Sequence, residues 1–169
     1  KKFNEAETLF PQSIWAPQSA LMAAYSYYIQ DYYGDAIAEL IRFKKIYPKH
    51  KNIDYANYLL AMCYYEQIVD EKKDLQPLLD AKKKIAFFLE RYPDTDYAID
   101  LQFKKDLIQN QLAAKELFVA KYYISTQKWI PAINRLKIIV NDYQKTIFIE
   151  EALHRLVEIH YYLGLEEES

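Results

Sequence analysis

The side chains capable of chemistry are few and scattered in this sequence. Its histidines are His50, His154 and His160, and Cys63 is its one cysteine. A hydrolytic zinc site needs two histidines on one helical face with a general base between them, as in His-Glu-x-x-His, and none of the three fits that spacing. Glu150, His154 and Glu158 follow one another at one-turn intervals, an arrangement typical of ion pairs on a helix face. Cys63 lies in the apolar run Ala61-Met62-Cys63-Tyr64-Tyr65, where it reads as a small packed residue and not a nucleophile. With 2 glycines in the whole chain, there is no Gly-rich loop to cradle a phosphate, and no Ser, Cys or carboxylate pair has a recognisable partner set. We expect no catalytic residue, no cofactor and no metal.

The bulk composition points to binding. The chain has 169 residues, 51% of them apolar, which suffices for a sizeable core in one domain or one short solenoid. Lys and Arg number 22 against 24 Asp and Glu, so a net charge of −2 leaves no basic footprint for nucleic acid. Scarce glycine favours long helices over many tightly turned strands, and 17 tyrosines favour half-buried surfaces, apolar in the ring and polar at the tip. No apolar run approaches the ~20 residues that span a bilayer. The chain opens on Lys1-Lys2-Phe3, inside a helix by its pattern, and is expected to be a piece of a longer protein whose N-terminus carries an address.

Helices alone would not specify a fold, but these repeat. Segments end at Phe10-Pro11, Tyr47-Pro48, Tyr92-Pro93 and Tyr143-Gln144. Ahead of Pro48 stand Ala24, Tyr27 and Ala36; the last full copy has Ala120, Tyr123, Ala132 and Gln144 without a gap. The middle copy, Ala61, Tyr64, Ala81 and Pro93, carries extra residues between its helices, and the first keeps only Phe3, Ala6 and Pro11. A small residue lets two helices approach, an aromatic fills the wedge, a second small residue packs on the next hairpin, and proline stops the helix. That is the tetratricopeptide spacing. The expected fold is all-α, a tetratricopeptide-type right-handed superhelix of antiparallel hairpins in one solenoid over 1–169. Its parts are a partial repeat over 1–11, repeats over 17–48 and 54–93, a long helix and repeat over 96–144, and the start of another over 147–169. Helices are predicted at 1–9, 18–30, 34–46, 55–69, 76–91, 96–125, 128–142 and 147–163, with Asp54, Asp94 and Asp96 as N-caps. The charged 66–80 stretch reads as a solvated loop, with a binding role as the alternative. The acidic end, Glu166-Glu167-Glu168, reads as a cut helix.

In such repeats the first helix of each hairpin lines a concave face. Leu21, Tyr25, Tyr28 and Ile29 in one repeat, and Tyr55, Tyr58, Met62 and Tyr65 in the next, then face a groove. Tyrosine supplies contact area at low entropic cost and methionine adapts its shape, so a peptide-binding groove of Tyr25, Tyr28, Tyr55, Tyr58, Met62 and Tyr65 is expected. The competing reading makes these rings solenoid core; about half of them are expected to be partly exposed. The fourth repeat offers Leu117, Lys121 and Ile124 instead, a weaker strip.

Several words go beyond the repeat. They are Arg42-Phe43 with Pro48-Lys49-His50-Lys51-Asn52-Ile53-Asp54-Tyr55, then Tyr92-Pro93-Asp94-Thr95-Asp96-Tyr97, and Glu116-Leu117-Phe118-Val119-Ala120-Lys121-Tyr122-Tyr123 leading to Trp129, Ala132-Ile133-Asn134-Arg135 and Asp142-Tyr143. Over almost its whole length the chain resembles the BamD family, the tetratricopeptide lipoproteins of the bacterial outer-membrane β-barrel assembly (BAM) machine. Gln144 stands where that family often has proline. The resemblance implies a lipoprotein on the periplasmic face of the outer membrane, attached only through an N-terminal lipid outside this chain. Its implied partners are the POTRA domains of the barrel protein BamA, the other BAM lipoproteins, and the C-terminal segments of unfolded outer-membrane proteins, bound by the N-terminal repeats. The scaffold contact is then expected at Asn134 and Arg135. The alternative for Arg135 is an internal ion pair with Glu116, Glu150 or Glu151. The competing functions are another periplasmic tetratricopeptide adaptor for the cell envelope, or the helical accessory part of a longer enzyme.

Overall fold

The repeat words mark helix ends. In the computed structural model, which describes residues 2–68 and 75–164, the helices α3, Tyr33–Ile46, α5, Gln76–Arg91, and α7, Trp129–Asp142, stop one residue before Tyr47, Tyr92 and Tyr143. Each of these tyrosines leaves the helical region with φ between −121° and −133° and donates its N–H to the carbonyl four residues back, on Phe43, Phe88 and Ile139 respectively. Proline at the next position forces the preceding residue out of the α region. Tyr143 adopts the same geometry before Gln144, so the cap does not depend on the proline.

The other described helices are α1, Lys2–Leu9, α2, Ala16–Tyr28, α4, Ile53–Glu66, α6, Asp96–Ser125, and α8, Ile149–Tyr162; no strand occurs among the described residues. The predicted map holds to within about three residues at each end, and the long sixth helix runs unbroken over its 30 residues. None of these helices is long and apolar enough to cross a membrane. Asp54 and Asp96 are not N-caps. They lie inside the first turns of α4 and α6, where a carboxylate meets the positive end of the helix dipole, while Asp94 sits in the turn before α6. The 66–80 stretch is helical from Gln76; its middle, 69–74, and the acidic end, Glu166 to Glu168, lie outside the described residues.

The chain divides into two units, residues 1–102 and 103–169. In the first, α1 packs on α2, α2 on α3, α3 on α4 and α4 on α5. Its core joins Ala20, Leu21, Ala24, Ala36, Leu40, Phe43, Ala56, Leu60 and Cys63, with Tyr27 half-buried against them. Burial pushes the Cys63 thiol up to about 12, which keeps it protonated and inert. In the second unit Ala113, Leu117, Ala120, Ala132, Leu136, Ile139, Ala152 and Ile159 form the core, with Tyr123 against it. The four alanines expected at close helix crossings, Ala24, Ala36, Ala120 and Ala132, are each 0% exposed.

The first segment departs from its expected packing. Phe3 is 40% exposed, Ala6 is also exposed, and the one described α1 side chain that is buried is Glu7. Its carboxylate accepts two bonds from Arg42, at 2.9 and 2.6 Å, and one from the Tyr47 hydroxyl at 3.1 Å. The Arg42 bonds hold its pKa below the usual carboxylate range against the opposing effect of burial. A bidentate ion pair, rather than an apolar stripe, anchors α1.

Candidate functional site

The tyrosines of α2 and α4 gather in the first unit. Tyr25 and Tyr28 sit one turn apart on α2 with ring centroids 6.5 Å apart, and Tyr55 and Tyr58 repeat that pairing on α4 at 6.3 Å. Tyr97, near the start of α6, completes the cluster. It stacks on Tyr58 at 4.6 Å and 24°, and touches Tyr55 at 5.7 Å. On the core side Tyr58 meets the edge of Phe88, and on the other flank Tyr28 meets Tyr33 at 5.8 Å.

Helical spacing explains the placement. Ala24, Ala56 and Cys63 point into the core, so Tyr25, Tyr55, Tyr58 and Tyr65, each one or two positions away along the chain, rotate to its margin, with ring bodies packed and tips free to reach water, and Tyr28 joins them one turn after Tyr25. Tyr25, Tyr28, Tyr55, Tyr58 and Tyr65 are all half-buried, between core and surface. Leu21 and Met62 are not part of the surface, at 4% and 7% exposed, while Ile29 beyond the end of α2 is 58% exposed.

Three of the hydroxyls, those of Tyr28, Tyr55 and Tyr58, hold their protons more tightly than a free tyrosine does. Burial pushes Tyr28 up to about 12. Burial also raises Tyr58, helped by the bond its hydroxyl donates to Asp100 Oδ2 at 3.0 Å. Tyr55 is raised by burial first, then by the neighbouring Tyr25 and Tyr97. At neutral pH the strip therefore offers ring faces and O–H groups, with the acidic charges of Asp100 and Glu66 beside them. Ring contact and hydrogen bonds to backbone are the means by which such a surface can hold an extended chain. Tyr97 and Asp100 were outside the predicted groove. Tyr97 closes the word Tyr92-Pro93-Asp94-Thr95-Asp96-Tyr97, and its position just inside a helix following a Tyr-Pro stop was the available signal.

In the second unit, Asn134 is exposed, and Arg135, 41% exposed at its side chain, donates Nη1–H to Glu116 Oε2 at 3.0 Å. Of the three acids considered for an internal pair, Glu116 is the partner. Glu151 instead binds Lys121 at 2.7 Å, and that bond lowers its pKa. His154 pairs with Glu158 at 3.2 Å on the surface of α8. No group of three potential metal-ligating side chains occurs among the described residues.

A family model described as an outer membrane lipoprotein, YfiO, matches residues 1–169. The outer membrane protein assembly factor BamD of Caulobacter vibrioides is 38% identical over 167 residues, covering 99% of this chain and 55% of that protein. BamD of Rickettsia prowazekii is 35% identical over 176 residues, covering 100% of the chain and 70% of the relative. BamD of Neisseria gonorrhoeae is 32% identical over 171 residues, covering 95% and 64%. The chain thus spans about half the length of the Caulobacter relative and about two thirds of the other two. With a match that runs from the first residue to the last, the chain belongs to the YfiO/BamD family of outer membrane lipoproteins.

Proposed function

We propose that this protein is a non-catalytic adaptor in the assembly of outer-membrane β-barrel proteins, and that its tyrosine strip receives extended segments of unfolded barrel chains. The observation that carries the reading is the strip itself: Tyr28, Tyr55, Tyr58 and Tyr97 form a half-buried, hydroxyl-tipped surface across three helices. The role of the BamD relatives, outer membrane protein assembly, selects the class of ligand. The strip alone would equally suit another periplasmic adaptor of the cell envelope, and family membership favours the role in outer membrane protein assembly. The test is a fluorescence titration of the purified chain with a synthetic barrel C-terminal peptide ending in an aromatic residue. Tyr28→Ala/Tyr58→Ala should weaken binding by about tenfold or more, since a few aromatic anchors carry most of the energy of such contacts. Undiminished binding by a folded double variant would refute the strip.

The same reading places the full-length protein on the periplasmic face of the outer membrane, held by an N-terminal lipid beside the other BAM lipoproteins. Unit 2 would meet the BamA POTRA domains through Asn134 and Arg135. Glu116 uses one N–H of Arg135, and the exposed remainder of the planar guanidinium suits a second carboxylate across an interface. Arg135→Leu should lower stability by about 1 kcal/mol at most, as for other partly exposed pairs. It should weaken POTRA binding by about 2 kcal/mol or more if that contact is desolvated. Full-strength binding by the folded variant would remove Arg135 from the interface.

A further inference from the structure

The opposite side of α4 carries a second feature. Ile53, Asn57 and Leu60 recur at helical spacing, about half a turn around the axis from Tyr55, Tyr58 and Met62. There, α3, α4 and α5 enclose a cleft of about 210 Å³ lined by Lys44, Asn57, Lys83, Lys84 and Phe87. A wider opening of about 520 Å³ shares Lys44, Asn57 and Phe87 and adds Arg91. Among the described residues no carboxylate lines either opening. Among the described residues no acid lies in ion-pair range of these four cations; Lys44 instead rests over the Phe87 ring at 5.4 Å and Lys84 over the Tyr64 ring at 5.2 Å. Burial, then the charges of Lys84 and Arg91, hold Lys44 below the usual lysine range. Lys44 and Arg91 occupy the last turns of α3 and α5, where the helix dipole favours cations. That does not account for Lys83 and Lys84 in the middle of α5.

Asn57 supplies an independent observation. It is 5% exposed, and its Nδ2 donates to Ile53 O at 2.7 Å and to the Tyr92 hydroxyl at 3.3 Å. The bond to a carbonyl fixes the amide orientation, because only the nitrogen can donate there. Its Oδ1 is left buried with no hydrogen-bond partner. A buried acceptor without a donor costs about 1–3 kcal/mol, and this one belongs to a side chain lining both openings.

We propose that this cleft binds an acidic peptide segment, its carboxylate seated among Lys44, Lys83, Lys84 and Arg91 and an adjacent backbone N–H donated to Asn57 Oδ1. A phosphodiester group satisfies the cations but carries no N–H donor of its own, whereas a peptide carries a backbone N–H beside every side-chain carboxylate, and the exposed face of Phe87 accommodates an apolar neighbour. This site is independent of the tyrosine strip, so either can fail alone.

The test uses the ¹⁵N-labelled chain and two hexapeptides acetylated at the N-terminus and amidated at the C-terminus, one alternating Asp and Phe, the other Asn and Phe. The Asp peptide should shift the Asn57 side-chain amide saturably and the Asn peptide should not. Lys44→Gln/Lys84→Gln should weaken binding by about tenfold, and Lys83→Gln/Arg91→Gln gives the same reading should the first variant not fold. The charge-matched control, Lys105→Gln/Lys137→Gln, should bind as the parent does. Absence of a saturable shift, equal loss in the control, or a shift given by phosphatidylglycerol vesicles but not by the Asp peptide would each overturn the proposal.

Discussion

Helices α3 and α4 of the first unit and α7 and α8 of the second are one design written twice. Tyr33–Ile46 and Ile53–Glu66 become Trp129–Asp142 and Ile149–Tyr162, shifted by 96 residues at every bound. The cores follow the same shift: Leu21 and Leu117, Ala24 and Ala120, Ala36 and Ala132, Leu40 and Leu136, Phe43 and Ile139, Ala56 and Ala152, Cys63 and Ile159. So does the turn that leads into α3 and into α7. Asp31 and Gln127 both take positive φ, at 62° and 57°, and the next residue donates back to Tyr27 or Tyr123 in the six-residue helix-end motif. The strips differ. Where unit 1 places Tyr25, Tyr28, Tyr55 and Tyr58, unit 2 places Lys121, Ile124, Glu151 and His154, and the site of two neighbouring rings becomes a salt bridge. The buried positions determine the backbone, and the margin beside them determines what the surface can hold.

The largest expected effect probes what the units share. Ala36→Leu and Ala132→Leu each add volume at a fully buried crossing and should each cost about 1–3 kcal/mol by overpacking. Thermal melts read this directly. A large loss at one position and none at the other would break the equivalence.

The next prediction separates the units by pH. Tyr28 and Tyr58 hold their protons more tightly folded than unfolded, so their contribution is fully present below the ordinary tyrosine value and is lost as pH rises through the raised one, about 12 for Tyr28. Glu151 is depressed, so its contribution is present above the ordinary carboxylate value and lost as pH falls through the lowered one. Between pH 9 and 11, melting points of the parent should fall faster than those of Tyr28→Phe/Tyr58→Phe, by circular dichroism. Parallel curves would mean that these hydroxyls are not linked to folding.

Smaller effects sharpen the turn and the strip. Gln127→Gly should stabilise by up to about 1 kcal/mol, because glycine adopts positive φ without a Cβ penalty. Asp31→Gly should gain less, since it also removes the Asp31 Oδ1 acceptor of the Tyr33 hydroxyl at 2.8 Å. Lys121→Gln should cost under about 0.5 kcal/mol, and the loss should vanish in high salt, as expected for an exposed pair.

Much of the fold was legible because its punctuation is local. Small, aromatic, small and proline at fixed offsets marked the helices, and the Tyr-x ends fell at the caps. What was missed is non-local. Phe3 and Ala6 matched the spacing, but only tertiary placement brings Glu7 to Arg42, 35 residues on, and turns that segment around a carboxylate. In the long helix Leu107 is 38% exposed while Leu101, Ile108 and Leu112 are buried, so an apolar residue type alone does not mark the buried face of α6. In the strip, five of six predicted residues lie at the core margin, while Met62, between Ala61 and Cys63, falls inside it. Periodicity resolves a face but not its edge. Tyr97 and Asp100 joined from a helix that the spacing assigned to the following segment.

The central claim is that the tyrosine strip, and not its charged counterpart, receives unfolded barrel chains. Photo-crosslinking residues placed in cells at Tyr28 and Tyr58, and at the matching Ile124 and His154, in the full-length protein test it most directly. We expect barrel precursors trapped at the first pair and few at the second. Equal capture at both pairs, or capture only at Ile124 and His154, would contradict the account.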